Sequence, residues 1–193
     1  MPDDDRVLTV PNLVTLVRLL CLPLFLWLLL SRDNRLGAAA LLAGLGATDW
    51  VDGWLARRLG QVSTVGKVLD PTVDRILLLG VIIAVIADGA VPLVVAWLAL
   101  VREAVVAGAA LVLAGLGARR IDVTWVGKAG TFGLLCTLPL FLAAGSTVGW
   151  RDQARLLAWC AAGPSLVLSW WAVASYVPLA RTALAEGRVR AAR

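Results

Sequence analysis

Long apolar blocks separated by short polar stretches run through almost the whole of this sequence. A helix that crosses the hydrocarbon core of a bilayer needs about 20 apolar residues, because it rises about 1.5 Å per residue. Six blocks approach this length, and they cover residues 13–30, 36–55, 73–86, 91–116, 126–144 and 154–179. The third block is short unless its helix begins near Gly66. The pattern predicts an all-α integral membrane protein that folds as a six-transmembrane-helix bundle.

The composition supports a single membrane domain. Of the 193 residues, 60% are hydrophobic and only 16% are charged, which is too apolar for an ordinary soluble domain of this length. No repeat, low-complexity tract or linker divides the chain, so one domain over residues 1–193 is predicted. A signal peptide is the alternative for the first block. The preceding stretch MPDDDRVLTVPN is acidic rather than basic, however, and no A-x-A cleavage site follows.

The distribution of Lys and Arg predicts the orientation, because cytoplasmic loops of membrane proteins are enriched in these residues. With a cytoplasmic N-terminus, eleven of the eighteen fall on the inner side, four on the outer side and three within spans. We therefore expect a multi-pass inner-membrane protein with both termini in the cytoplasm. The net charge of +5 indicates attraction to anionic lipids, whereas scattered basic residues argue against nucleic acid as a partner.

The chain contains no histidine, which removes the usual general base and a common zinc ligand. Its three cysteines lie in apolar blocks without CxxC spacing, as expected of small core residues. Any acid–base or metal chemistry must therefore rest on carboxylates.

Four aspartates lie where the second and third apolar blocks approach the predicted cytoplasmic surface. Asp49 and Asp52 are three residues apart, and Asp70 and Asp74 are four apart, so each pair shares one face of a helix. Because the second helix runs inward and the third outward, the two pairs are expected to converge at a similar depth. Four converging carboxylates repel one another unless cations lie among them. Oxygen-only ligation suits Mg²⁺ or Mn²⁺, and two such ions about 3.5–4 Å apart can clamp phosphoryl groups.

The residues around these aspartates favour a phosphate ligand. Gly53 and Ala56 leave one face of the helix with little side-chain bulk, so that a flat ligand can lie against it. Arg57 offers a forked cation suited to a diphosphate. Gly66 lets the third helix begin close to the ligand or to a neighbouring helix.

The complete stretch fits the pattern D-x2-D-G-x2-A-R-x8-G-x3-D-x3-D without a gap or substitution. Its eight fixed positions over 26 residues are Asp49, Asp52, Gly53, Ala56, Arg57, Gly66, Asp70 and Asp74. In this motif the chain resembles the CDP-alcohol phosphatidyltransferases, and its hydropathy agrees with their six-helix fold. The resemblance implies displacement of CMP from CDP-diacylglycerol by an alcohol at the inner membrane surface, in an enzyme that forms a homodimer.

The resemblance also implies roles for single residues. Asp49, Asp52 and Asp70 would ligate the metal ions, and Asp74 would complete this set and act as general base on the acceptor hydroxyl. The CDP part of the donor would be bound at Asp49, Asp52, Gly53, Ala56, Arg57 and Gly66.

The acceptor alcohol is indicated by further resemblance. The start of the first block, TVPNLVTLVR, is similar to the P-N-x2-T-x2-R opening of the phosphatidylglycerophosphate synthase and cardiolipin synthase branch. Members that use glycerol 3-phosphate are expected to carry two further cations, at the places of Ala110 and Gly130 here. Their absence favours an acceptor with a phosphodiester, phosphatidylglycerol, over glycerol 3-phosphate. The predicted acceptor-binding residues are Asn12, Thr15, Arg18, Arg102 and Lys128.

Three other interpretations remain open from the sequence. Asp70 before Pro71 is typical of a helix N-cap followed by a first-turn proline, a role compatible with metal binding. Pairing of Arg102 with an acidic residue such as Glu103, which would neutralise buried charge, is an interpretation that stands equally beside acceptor binding. A small proton-coupled transporter would also carry intramembrane carboxylates, but the aspartates cluster at one surface instead of crossing the bilayer.

Overall fold

The computed structural model describes the backbone of residues 10–59, 66–115 and 124–191, and the side chains of 16–48, 73, 75–113, 115 and 124–176. All regular structure in these residues is helical. The helices are α1 (Val10–Leu26), a π-helical turn (Trp27–Ser31), α2 (Arg35–Leu59), α3 (Gly66–Asp88), α4 (Leu93–Gly115), α5 (Trp125–Ala144) and α6 (Arg151–Ala191).

Each predicted apolar block corresponds to one helix, but two helix boundaries differ by more than four residues from the limits of the blocks. Helix α3 begins at Gly66, as its short apolar block required, so the predicted N-cap role of Asp70 is wrong: this residue lies inside the helix. Helix α6 continues to Ala191, beyond the predicted end near residue 179. Its last part is rich in Ala and Arg, which are strong helix formers even where the apolar block has ended.

Three helices in the described part of the chain are long and apolar enough to cross a membrane. They are Leu93–Leu113, Trp125–Ala144 and Arg151–Tyr176, and shorter apolar helices cover Leu16–Ser31 and Arg35–Thr48. The predicted all-helical membrane protein is therefore confirmed. That all six helices cross the bilayer stays a prediction.

The first of two compact units comprises Met1–Val91 and Leu138–Arg155. In it, α1 packs against both α2 and α3. Phe25 of α1, Leu42 of α2 and Val81 of α3 are buried in its core. Helix α1 is thus the element that α2 and α3 share.

An arginine joins three helix ends in this unit. Arg35, the first residue of α2, donates from Nε to Oδ2 of Asp88 at 3.0 Å and from Nη1 to the Gly145 carbonyl at 2.9 Å. Its Nη2 donates to the backbone carbonyl of Asp88 at 3.3 Å. The carbonyls at the ends of α3 and α5, which have no partner within their own helices, are satisfied in this way.

The second unit comprises Pro92–Thr137 and Leu156–Arg193. Here the first part of α5 packs against α6 through three glycines, Gly127, Gly130 and Gly133. Gly127 lies against Tyr176, and Gly133 lies against Ser165, so the two helices run antiparallel. Because a glycine has no side chain, the two backbones approach closely along this line.

Candidate active site

The predicted metal and nucleotide residues all lie on helical backbone of the first unit. Positions 49, 52, 53, 56 and 57 belong to α2, and positions 66, 70 and 74 belong to α3. Each aspartate pair therefore lies within one unbroken helix, so the helical backbone that was predicted for both pairs is confirmed. The side chains at these eight positions lie outside the part of the structure described here.

Three of the aspartate positions lie on the same side of their helix as buried residues two turns away. Asp49 follows Leu42 by seven residues, and Asp70 and Asp74 precede Leu77 and Val81 by seven residues each. Seven residues are two turns with a drift of about 20°. Because Leu42, Leu77 and Val81 are buried, the backbone positions 49, 70 and 74 belong to the same sides of α2 and α3 as core residues of the first unit.

The donor set fits a hard divalent cation. Among the side chains described, no group of three or more His, Cys, Asp or Glu residues could hold a metal ion. The four predicted ligands lie outside that set. They are all carboxylates, the ligand type that Mg²⁺ and Mn²⁺ favour, and they occupy two helices that pack on the same third helix.

Three of the predicted acceptor residues lie on α1. Asn12, Thr15 and Arg18 are spaced by three residues and follow one side of this helix. Arg18 is only 8% exposed, and the helix that carries it contacts both aspartate-bearing helices. The side chains of Asn12 and Thr15 are not among those described. An arginine buried within the first unit agrees with a role beside anionic groups.

Arg102 and Glu103 form a buried ion pair on α4 in the second unit. Nη1 of Arg102 donates to Oε2 of Glu103 at 2.8 Å, and both residues are buried. The predicted structural pairing of Arg102 is therefore confirmed. Its Nε atom is also buried and has no hydrogen-bond partner among the described residues. At least this donor of the guanidinium has no partner in the described part of the chain, and acceptor binding by Arg102 stays a prediction.

Lys128 lies in the first turn of α5, and its side chain is exposed. Its backbone N–H donates to the carbonyl of Thr124 at 3.1 Å, which closes the first turn of the helix. Two residues further on, Gly130 is buried against Ser169 of α6. A Cβ atom at Gly130 would lie 2.7 Å from the backbone nitrogen of Ser169, so this position has no room for a side chain.

No sequence pattern indicated Tyr176, whose hydroxyl accepts a hydrogen bond from the backbone N–H of Thr124 at 3.2 Å. These residues are 52 positions apart, and the sequence has no spacing pattern that connects them. The one available signal was composition, because Tyr176 is the single tyrosine of the chain.

Comparison with known proteins identifies the family. A family model described as CDP-alcohol phosphatidyltransferase matches residues 8–178. A cardiolipin synthase (CMP-forming) from Streptomyces coelicolor is 37% identical over 179 residues, which are 90% of this chain and 83% of that protein. A putative cardiolipin synthase from Mycobacterium tuberculosis is 36% identical over 156 residues, 81% of this chain and 75% of that protein.

A relative whose name specifies glycerol 3-phosphate also matches. The CDP-diacylglycerol–glycerol-3-phosphate 3-phosphatidyltransferase of Bacillus subtilis is 32% identical over 149 residues, 68% of this chain and 75% of that protein. The relatives therefore include proteins named as cardiolipin synthases and one named for glycerol 3-phosphate. Because the family match covers most of its length, the chain belongs to the CDP-alcohol phosphatidyltransferase family and is an enzyme of that class.

Proposed function

We propose that this enzyme transfers the phosphatidyl group of CDP-diacylglycerol to phosphatidylglycerol, forming cardiolipin and releasing CMP. The observation that carries the proposal is the placement of the eight motif positions. They lie on α2 and α3, and the aspartate positions 49, 70 and 74 follow the buried stripes of these helices in one unit. A site assembled from these positions would present carboxylates and an arginine to a diphosphate.

The reaction balances without a further reactant. A hydroxyl oxygen of the acceptor attacks the phosphorus that carries the diacylglycerol ester, and the bond from that phosphorus to the bridging oxygen breaks. The bridging oxygen leaves with CMP, and Asp74 takes the proton of the acceptor hydroxyl. General-base assistance of this kind contributes about 10²- to 10⁴-fold to a rate.

The remaining motif residues bind and orient the donor in this proposal. Asp49, Asp52 and Asp70, with Asp74, would hold Mg²⁺ or Mn²⁺, which when bound neutralises the diphosphate oxygens and the departing phosphate. Gly53 and Ala56 leave space for the cytidine nucleotide, and Gly66 allows close approach at the start of α3. Arg57 supplies a forked donor to the diphosphate.

The acceptor assignment depends on charge. A phosphate monoester carries about one negative charge more than a phosphodiester and needs more cations to hold it. Ala110 and Gly130 stand where two cations are expected in glycerophosphate-using enzymes, and Gly130 has no room for a side chain beside Ser169. The two cardiolipin synthases cover more of this chain than the B. subtilis enzyme does. Phosphatidylglycerol would be bound by Asn12, Thr15, Arg18, Arg102 and Lys128.

Glycerol 3-phosphate is the second candidate acceptor. The B. subtilis relative, whose name specifies that substrate, is 32% identical. Arg102 has a guanidinium donor without a partner among the described residues, and Lys128 is exposed, so these two cations could receive a monoester.

The arrangement in the membrane is part of the proposal. All six helices would cross the inner membrane as one domain, with both termini and the active site at the cytoplasmic surface. The excess of Lys and Arg on that side supports this orientation. A homodimer is expected from the family resemblance.

The deciding experiment uses the purified protein in mixed micelles with CDP-diacylglycerol and Mg²⁺ or Mn²⁺. We expect release of CMP with phosphatidylglycerol, formation of cardiolipin, and loss of both when a chelator is added. Turnover with glycerol 3-phosphate alone would refute the cardiolipin assignment and leave the second candidate. Absence of CMP release with every alcohol acceptor would refute the proposed site.

A further inference from the structure

The start of α5 is held by a side chain from α6. Thr124 precedes the helix and is its N-cap: its Oγ1 accepts a hydrogen bond from the backbone N–H of Gly127 at 3.2 Å. The backbone N–H of Thr124 itself donates to the hydroxyl of Tyr176 at 3.2 Å. The residue that caps α5 is therefore tied to α6, 52 positions further along the chain.

Gly127 makes this contact possible. A Cβ atom at this position would lie 3.1 Å from the Tyr176 hydroxyl and 3.3 Å from the Cβ of Ala172, tighter than most real contacts. The next glycine, Gly130, touches the backbone of Ser169. The first two turns of α5 thus have their distance and register to α6 set by close packing and by one hydrogen bond.

Lys128 belongs to the same turn. It follows Gly127 directly, and its N–H closes the turn on the Thr124 carbonyl. Its side chain is exposed, so packing around the ammonium group does not hold it in place. The position of the Lys128 Cα atom is therefore set by the backbone of the first turn of α5.

We propose that Tyr176 is a positioning residue for the acceptor, acting through Thr124 and the first turn of α5 on Lys128. The inference rests on the proposed function, in which Lys128 binds the acceptor phosphate. In this proposal the Tyr176 hydroxyl does not contact the substrate. Its hydrogen bond keeps the backbone of the first turn of α5, which carries Lys128, at a fixed distance from α6. A displacement of about 1 Å in a binding group is enough to weaken the interaction that it makes.

A purely interfacial role is the competing explanation. Tyr176 lies near the end of the apolar block that runs to residue 179, and tyrosine is enriched where a span meets the membrane surface. An interfacial anchor, however, predicts no special protection of the Thr124 amide and no link to Lys128. The two explanations can therefore be separated by experiment.

The test compares Tyr176→Phe with Ser175→Ala in the full-length protein. The first change removes the hydroxyl that reaches α5 and keeps the ring. The second removes a hydroxyl from the adjacent residue, whose Oγ donates within α6 to the Ala172 carbonyl at 2.7 Å. We expect hydrogen exchange of the Thr124 amide to be about fivefold faster in Tyr176→Phe and unchanged in Ser175→Ala, because one neutral hydrogen bond is lost.

Kinetics supply the second measurement, with phosphatidylglycerol varied as its mole fraction in mixed micelles. In Tyr176→Phe we expect KM for phosphatidylglycerol to rise about fivefold, with kcat and KM for CDP-diacylglycerol within about twofold of the wild type. In the Lys128→Ala background, Tyr176→Phe should have no further effect, since both changes act on one interaction.

Each contrary result has a distinct meaning. Unchanged Thr124 exchange and unchanged acceptor KM in Tyr176→Phe would overturn the inference while the wild-type enzyme still makes cardiolipin. An acceptor effect of equal size in the Lys128→Ala background, or an equal change for both substrates, would overturn it as well. A wild-type protein that releases no CMP with any alcohol acceptor would refute the proposed function, and the exchange measurement would still report on the hydrogen bond.

Discussion

Replacing Gly130 by alanine tests how closely α5 and α6 pack beside Lys128. The added methyl carbon would lie 2.7 Å from the backbone nitrogen of Ser169 and 2.9 Å from its Cα. Ordinary contacts of such a carbon begin at 3.4 Å, so the shortfall at the nitrogen is 0.7 Å. Because the obstructing atoms are backbone, no rotation of a side chain relieves the contact, and the two helices must separate.

The magnitude follows from two opposing terms. Overpacking a well-packed interior costs about 1–3 kcal/mol, and contact with backbone places Gly130→Ala in the upper part of this range. Alanine is about 1 kcal/mol better than glycine inside a helix. The net destabilisation is therefore about 1–2 kcal/mol, which for a protein of this size lowers Tm by about 2–8 °C.

Gly108→Ala is the matched control. Gly108 lies on α4 in the same unit, and a Cβ atom there would meet nothing within 4 Å. Gly108→Ala therefore has only the stabilising effect of alanine over glycine inside a helix, about 1 kcal/mol, so we expect Tm to rise by about 2–4 °C. Tryptophan fluorescence in detergent, recorded at one heating rate for wild type and both variants, measures the shifts. A Gly130→Ala protein as stable as Gly108→Ala would refute the close approach of α5 and α6.

Three further predictions concern the aspartates and the arginine that joins helix ends. Asp74→Asn should abolish CMP release, because the base is lost, while the protein keeps its wild-type Tm. Asp49→Asn and Asp70→Asn should each weaken Mn²⁺ binding at least about tenfold in calorimetric titration, because each removes an anionic ligand. Arg35→Met should destabilise the protein by about 2 kcal/mol and lower Tm by about 4–8 °C, because it leaves the buried Asp88 carboxylate without its cation.

Controls make these outcomes decisive. Near-normal turnover in Asp74→Asn would refute the base assignment, and unchanged Mn²⁺ affinity in both ligand variants would refute the metal assignment. For Arg35 the control is Arg151→Met, because the pair of Arg151 with Asp152 is exposed and 4.0 Å long. Pairs of that kind contribute little to stability, so equal Tm values for the two arginine variants would contradict the role given to Arg35.

Much of the fold could be predicted from the sequence because helix formation in an apolar chain is local. Each of the six apolar blocks corresponds to one helix. Asp49 and Asp52 lie within one unbroken helix, and so do Asp70 and Asp74. Boundaries were less accurate where local signals competed. Asp70 before Pro71 has the sequence pattern of a helix N-terminus, although the helix begins about one turn earlier, at Gly66.

The eight-position motif also determined the family, since it depends on residue types and spacing alone, and the comparisons confirm it. What only the tertiary structure decided is which helix faces touch. The bond between Tyr176 and Thr124, the ion pair of Arg35 with Asp88, and the contact of Gly130 with Ser169 join residues 39 to 53 positions apart. Periodicity shows that a helix has an apolar face, but the rotation and approach of two helices depend on the side chains of both, and no single stretch of sequence contains that information.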